Sequence, residues 1–392
     1  MTPKVLGITA EYDPFHKGHK FQLEEAVRRT GADVKIAVIS GNFTQRGEPA
    51  ILDKWARAEM AVREGFDLVV EMPLLFALSS SGDFAKAGVE ILEDMGADYI
   101  SFGSECGDLR TLQEAAFRRD MMTEEEEEGI RQLVREGYSY PRALQNVLME
   151  AEPLGPNDNL ACEYIRNIKT AQPVVIKREG AGYSDLESGE GYPSAMQIRE
   201  LLKKHGDVSD LMPEASFLRL KEEEKNCGLM FKEMLFPLLM EKIATTPKHQ
   251  LMMISGAGEG LGNKLRDSFR YCHDYDELAA SIKSKRYTLT RVQRVLANTL
   301  LGIREEDAAG AVNYIRVLAF NDRGSAYLRT VDDRGHDLPL ITNINKDALK
   351  YPELQKNIER DILATDIYNI ALGRDLYIHS EYVKKPLKLS GI

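Results

Sequence analysis

The sequence predicts an α/β protein: a doubly wound parallel-sheet domain with a helical insertion, followed by a mainly helical C-terminal domain. Three observations carry this. Continuous apolar runs of strand length recur through the first half, stretches of helical periodicity alternate with them, and the texture turns helical after about residue 205. Strand, helix, strand in this rhythm is the mark of a parallel sheet covered by helices.

The runs are "KVLGITA" (4–10), "VKIAVIS" (34–40), "DLVVEM" (67–72), "ADYISFG" (97–103) and "PVVIKR" (173–178). They do not alternate with polar residues, which suits strands buried on both faces. Between the early ones, "FQLEEAVRRTG" and "DKWARAEMAVREG" carry apolar residues at helical spacing and a closing glycine. Residues 107–150 interrupt the alternation with helical segments, including "TEEEEEGIRQLVREG". Its five consecutive glutamates read as a solvated first turn favoured by the helix dipole, ahead of a metal site. Domains of 1–205 and 206–392 are expected. In the second, "YDELAASIKS", "TRVQRVLANTLLGI" and "LQKNIERDILATDIYNIALG" are the clearest helices, with a short strand pair near "AAGAVNYIRVLAFNDRGSAYLRTV".

With 392 residues, 43% hydrophobic and 29% charged, the chain can bury a sizeable core. No run approaches the roughly 18 apolar residues of a membrane span. The start, "MTPKVLGITAEYDP", places acids where a secretory signal keeps its apolar stretch, so a cytoplasmic protein is expected. Cys106, Cys162, Cys227 and Cys272 form no CxxC pair and read as reduced, mostly buried thiols. A net charge of −11 disfavours a protein that coats nucleic acid, though not one that docks a folded RNA through a local basic face.

The loop after the first strand reads "DPFHKGH" and opens the first helix. In a doubly wound sheet, ligands bind at the carboxyl ends of the strands, where this loop lies. His16 and His19, protonated or hydrogen-bonding, together with N–H groups at the helix start, suit anionic oxygens and charge building on a phosphate. Gly18 permits close approach. The plainer alternative is a pair of histidines that merely cap the helix. A second patch, "GYPSAMQIRE" (191–200), offers Ser194 as a helix cap and Arg199 one turn on as a charged fork for phosphate.

HxGH after the first strand, with Ser-x-x-x-Ile-Arg near the domain's end, resembles the HIGH-type nucleotidyltransferases, a Rossmann-like superfamily. In order along the chain, "EYDPFHKGH", "SGNFTQRGEPAILDKWARAEMA", "FGSE", "PNDNLACEYIRNI", "IKREGAGYSD" and "SAMQIR" are similar to the bacterial tRNA(Met) cytidine acetate ligase family. The likeness extends through "RYTLTRVQRVLANTLLGI" and "LAFNDRGSAYLR". It implies ATP-dependent acetylation of the wobble cytidine of elongator tRNA(Met), through an acetyl-adenylate made from acetate. It further implies that Gly7, Ile8, Thr9, Ala10, Glu11, Tyr12, Asp13, Pro14, Phe15, His16, Lys17, Gly18, His19 and Lys20 wrap ATP, with the histidines at the phosphates. Gly103, Asn157 and Arg178 match positions that complete the nucleotide pocket. Asp13 stands where many relatives carry asparagine, and "PNDNLAC" where "PNNILGI" is commoner. Mg²⁺ is expected on the ATP phosphates, since no carboxylate cluster announces a cage.

The stretch after the second strand should reach the same rim, with Arg46, Lys54 and Arg57 facing the acetyl group or the incoming nucleotide. Trp55, the single tryptophan, reads as core. The acid-free "SIKSKRYTLTRVQR" (281–294) supplies Lys283, Lys285, Arg286, Arg291 and Arg294 as candidate contacts to the tRNA backbone, with Tyr287 as a stacking ring. The alternatives are a small-molecule nucleotidyltransferase or carboxylate–amine ligase on the same core, and an ATP-sensing RNA-binding module without catalysis.

Overall fold

The computed structural model describes residues 2–138, 140–148, 154–179, 191–258, 260–285, 287–307, 310–374 and 380–392. Its first half runs β1 (Val5–Ala10), α1 (Lys17–Thr30), β2 (Val34–Ser40), α2 (Lys54–Arg63), β3 (Leu68–Met72), α3 (Ser81–Asp94) and β4 (Tyr99–Ser104). Three helices follow, α4 (Leu109–Asp120), α5 (Glu124–Arg135) and α6 (Tyr140–Leu148), and then α7 (Pro156–Asn167), β5 (Gln172–Lys177) and α8 (Ala195–Lys203). The five parallel strands are those the apolar runs indicate. The helix α3 is not among the elements the sequence pattern announces, although Ser80 caps it through Asp83 N–H.

Alternation within each strand explains the continuous apolar runs. Val5, Ile36, Val38, Leu68 and Val70 face one core, under α3, α4 and α7. Leu6, Ile8, Ala37, Ile39 and Val69 face the other, under α1, α2 and α8. With both faces covered, no polar alternation survives. The insertion keeps its own small cluster of Ile130, Ala143, Leu144 and Leu148. Its glutamates form the first turn of α5, capped by Thr123 and paired with Arg118 and Arg131.

The strand order is β5-β4-β1-β2-β3, continued by β6 (Ile315–Asn321) and β7 (Leu340–Ile341), with β8 (Leu387–Leu389) beside β6. The chain builds β1, β2 and β3 in one direction, then crosses to place β4 and β5 on the other side of β1. The order therefore reverses beside β1, and the crevice there is the expected binding position.

After α9 (Glu214–Asn226), the helices α10 (Phe236–Thr245), α11 (Leu261–Ser268), α12 (Tyr275–Ile282) and α13 (Leu289–Leu301) enclose a third core. Phe43, from the loop after β2, and Leu74, from the short helical turn after β3, enter it. The sheet does not end at 205. β6 (Ile315–Asn321) pairs antiparallel with β3, and β7 (Leu340–Ile341) and β8 (Leu387–Leu389) follow beside it. The expected strand pair is thus one strand and one helix, α14 (Asp322–Arg334). Asn321 caps that helix through Gly324 N–H at 2.9 Å, and Tyr327 and Val331, four apart, turn inward. The long α15 (Gln355–Leu372) returns to the helical core through Ala364 and Tyr368.

Among the described residues no helix is long and apolar enough to cross a membrane. All four cysteines are free thiols, but only Cys162 is buried and Cys106 is exposed.

Candidate functional site

His16 is the N-cap of α1, and Gly18 N–H donates to its Nδ1 at 3.1 Å. His16 N–H in turn donates to Nδ1 of His19 at 3.3 Å. An imidazole nitrogen that accepts a backbone N–H carries no proton, so each neutral ring keeps its hydrogen on Nε2. The rings stack with centroids 3.7 Å apart. Burial, and then the charge of Arg178, pushes the His16 pKa down to about 3. Burial, His16 and Arg178 push His19 well below its ordinary value as well. Of the two readings the sequence allowed, the structure favours neutral hydrogen-bond donors over imidazolium ions. The N–H of Gly18 and that of His19, which donates to His16 O at 2.9 Å, are spent within the turn. Gly18 itself makes room for the histidine: a Cβ there would lie 2.9 Å from the His16 ring.

Much of the 7–20 stretch supports this turn from beneath. Gly7 admits Leu92 of α3, and Ile8, Tyr12 and Phe15 are core residues. Thr9 and Ala10 are half-buried at the end of β1, Pro14 is buried, and Lys17 is exposed. Tyr12 adopts a left-handed φ of 49° as the chain turns. Lys20 is drawn away from the expected phosphates, pairing with Glu64 at 2.9 Å. Glu11 accepts Gln45 N–H at 2.7 Å, and its pKa is raised by burial and by Asp13.

Arg199 joins the two motifs. Its Nη1 lies 3.1 Å from Asp13 Oδ2 and its Nη2 3.6 Å from Glu48. Burial opposes its charge, yet Asp13 and Glu48 hold its pKa above the ordinary value. Ser194 caps α8 in a reciprocal box with Gln197. Tyr192, just before it, abuts the start of α1, its Cβ 3.1 Å from where a Gly18 Cβ would be. Arg178 follows β5 and donates its N–H to Ser104 O at 2.9 Å. Gly103 leaves room for its stem, since a Cβ there would sit 3.3 Å from Arg178 Cγ. Asn157 lies at the start of α7, where it and Asp158 donate to Glu105. Sequence reasoning does not single out Glu105, Glu48 or Tyr192. All three lie inside quoted motifs, Tyr192 two residues before the Ser194 cap.

The expected rim divides. Arg46 is exposed, and its charge acts on Glu11. Lys54 and Arg57 do not face a substrate, because both are fully buried. Lys54 pairs with Glu71 at 2.7 Å and Glu381 at 3.0 Å, with Trp55 Nε1 donating to the same Glu381. Arg57 donates to the carbonyls of Glu11, Ser40, Gly41 and Leu52, clasping the ends of β1 and β2, and burial lowers its pKa.

The basic stretch divides too. Lys283 and Lys285 are exposed, whereas Arg286 lies outside the described residues. Arg291 is half-buried over the Tyr287 ring at 5.2 Å, and Tyr287 is core, not a stacking platform. Arg294 is turned inward to Gln45 O at 3.4 Å, its pKa lowered to about 10 by burial and Arg291. Beside it, Gly47 has φ +83°, and a Cβ there would lie 2.3 Å from Arg294 N, so the 44–48 loop fits α13 only as glycine. Among the described residues no three His, Cys, Asp or Glu side chains are grouped to hold a metal ion.

A family model described as HIGH Nucleotidyl Transferase matches residues 3–380. A tRNA(Met) cytidine acetate ligase of Caldicellulosiruptor saccharolyticus is 34% identical over 397 residues, covering 98% of this chain and 98% of its own. Its namesake from Staphylococcus aureus is 35% identical over 377 residues, covering 95% and 96%. The apo crystal structure of Thermotoga maritima TmcAL superposes with a TM-score of 0.90 at 30% identity, covering 99% of this chain and 100% of that one. The same protein bound with alpha-thio ATP gives 0.89 at 29%, with the same coverage. With its paired histidines after the first strand and full-length relatives of one name, the chain belongs to the HIGH nucleotidyltransferases and, among them, to the tRNA(Met) cytidine acetate ligase family.

Proposed function

We propose that the protein activates acetate with ATP and transfers the acetyl group to N4 of the wobble cytidine of elongator tRNA(Met), in the cytoplasm. The observation that carries this reading is the stacked pair of neutral histidines under the charge of Arg178. Two Nε2–H donors and a guanidinium suit the oxygens of a polyphosphate, and buried donors act more strongly on developing charge than donors in water. The acetate oxygen attacks the α-phosphorus of ATP, and the bond to the bridging oxygen breaks, releasing pyrophosphate. The cytidine N4 then attacks the acetyl carbonyl, AMP leaves with the bonding pair, and N4 loses a proton. Positioning and charge neutralisation dominate both steps. Mg²⁺ carried on the ATP phosphates would supply further neutralisation.

The test is incubation of purified protein with radiolabelled acetate, ATP, Mg²⁺ and bulk bacterial tRNA, omitting ATP and then tRNA. ATP-dependent label confined to one tRNA species is expected. Pyrophosphate exchange with some other carboxylic acid and no labelled RNA would point to a small-molecule ligase. Silence in both assays would leave a nucleotide-binding module.

A further inference from the structure

We propose that the cleft between α8, the 44–49 loop and the start of α13 receives the acceptor base of the RNA, an assignment that rests on the ligase reading above. The cleft holds about 240 Å³. That is room enough for one pyrimidine ring. Met196, Met230 and Phe231 give it an apolar wall. Its charges nearly balance: Arg46, Arg199, Lys203 and Lys232 face Glu48, Glu200 and Glu233. Three of the cations are already engaged, Arg199 with Asp13 at 3.1 Å, Lys203 with Glu233 at 2.5 Å and Lys232 with Asp276 at 2.6 Å. A small anion such as acetate gains little there, whereas a neutral ring with donor and acceptor edges gains both packing and hydrogen bonds. The carboxylate of Glu200 can accept from an exocyclic amine, as can the side-chain carbonyl of Gln293, whose Nε2 is committed to Glu48 at 2.7 Å.

Position supports the same occupant. Arg199 lines the cleft and also binds Asp13, three residues before His16, while Arg46 lines it and acts on Glu11 at the end of β1. The cleft thus adjoins the loop expected at the adenylate. On its other side Leu289 and Thr290 open α13, and the exposed Lys283 and Lys285 lie in the turn before them. A base splayed from a loop into the cleft would leave its phosphates near those lysines, the common pattern for single-stranded RNA.

The test is an anticodon stem–loop carrying an iodinated cytidine at the acceptor position, irradiated on the full-length protein and mapped by mass spectrometry. Crosslinks at Phe231 or its neighbours are expected, and crosslinks confined to other surfaces would overturn the assignment. In parallel, Thr290→Trp should plug the cleft. Acetate-dependent pyrophosphate exchange should stay close to wild type while kcat/KM for RNA acetylation falls about tenfold or more, the scale of one base unstacked from its platform. Normal RNA acetylation by this variant, or an equal loss of exchange in a folded protein, would overturn the separate base cleft. Wild-type protein silent in exchange and labelling yet crosslinked at Phe231 would defeat the ligase reading and keep the cleft.

Discussion

Arg199 reaches back 186 residues to Asp13, donating Nη1 to its carbonyl at 2.8 Å while pairing with its carboxylate at 3.1 Å. The Asp13 carboxylate in turn accepts Ile51 N–H at 2.6 Å. One guanidinium therefore ties the turn that orients the histidines to the loop after β2. Arg199→Ala should lower acetate-dependent exchange about 10²-fold and cost about 1–3 kcal/mol of stability. Arg199→Lys keeps the charge but not the fork, and should recover only part of the rate. Exchange kinetics beside denaturant melts separate the two effects. Wild-type exchange in Arg199→Ala would reduce the residue to a loop tie.

The histidines make acid a test of the site. In the unfolded chain an imidazole titrates near 6.5, whereas folded His16 stays neutral down to about pH 3. Between those values the unfolded chain binds more protons, so stability falls as pH falls. From pH 7.5 to 5.5 this amounts to about 1.4 kcal/mol for His16. Urea titrations should show that loss, and His16→Gln should remove its own share of it. A variant with the wild-type pH dependence would mean that His16 is protonated in the folded state.

What is legible in the sequence is local. The His16 and His19 geometry is set within four residues by a helix cap, so the HxGH spacing carries it, and the strand runs announce a sheet covered on both faces. Lys54 and Arg57 read as rim cations because their stretch follows the second strand, whose end lies at the rim. Their partners come from distant segments of the sequence: Glu71 17 residues on, Glu381 in the last stretch of the chain, and carbonyls at two strand ends. Tyr287 misleads in the same way, because it is buried in the helical core that distant segments build together. The return of β6 to β3 is hidden by similar apolar content in strand and helix, and only the Asn321 cap marks where one ends and the other begins.

The buried group around Lys54 should act as a unit. Arg316 lies 3.6 Å from Glu71 and also pairs with Glu381, so two cations and two carboxylates share one dry site. Lys54→Met leaves the carboxylates with one cation and should cost about 3–5 kcal/mol. Adding Glu381→Gln should recover part of that, giving a coupling of about 1–3 kcal/mol in a double-mutant cycle. Strictly additive losses would show that the tail residue and the helix residue stabilise the fold separately.

Lys283 and Lys285 are the cations of the basic stretch best placed for RNA, since both are exposed while Arg294 is spent on Gln45. Reversing both to glutamate should leave acetate-dependent exchange unchanged and weaken tRNA binding. Every phosphate that a lysine no longer neutralises should flatten the slope of log affinity against log salt by about 0.7–0.9. Arg294→Glu should behave differently, burying a charge of the wrong sign against the 44–48 loop and lowering the melting temperature first. The comparison needs only filter binding across a salt series and a thermal melt for each variant. An unchanged salt slope in the double lysine variant would make the exposed turn an ordinary solvated surface and move the search for the RNA face elsewhere.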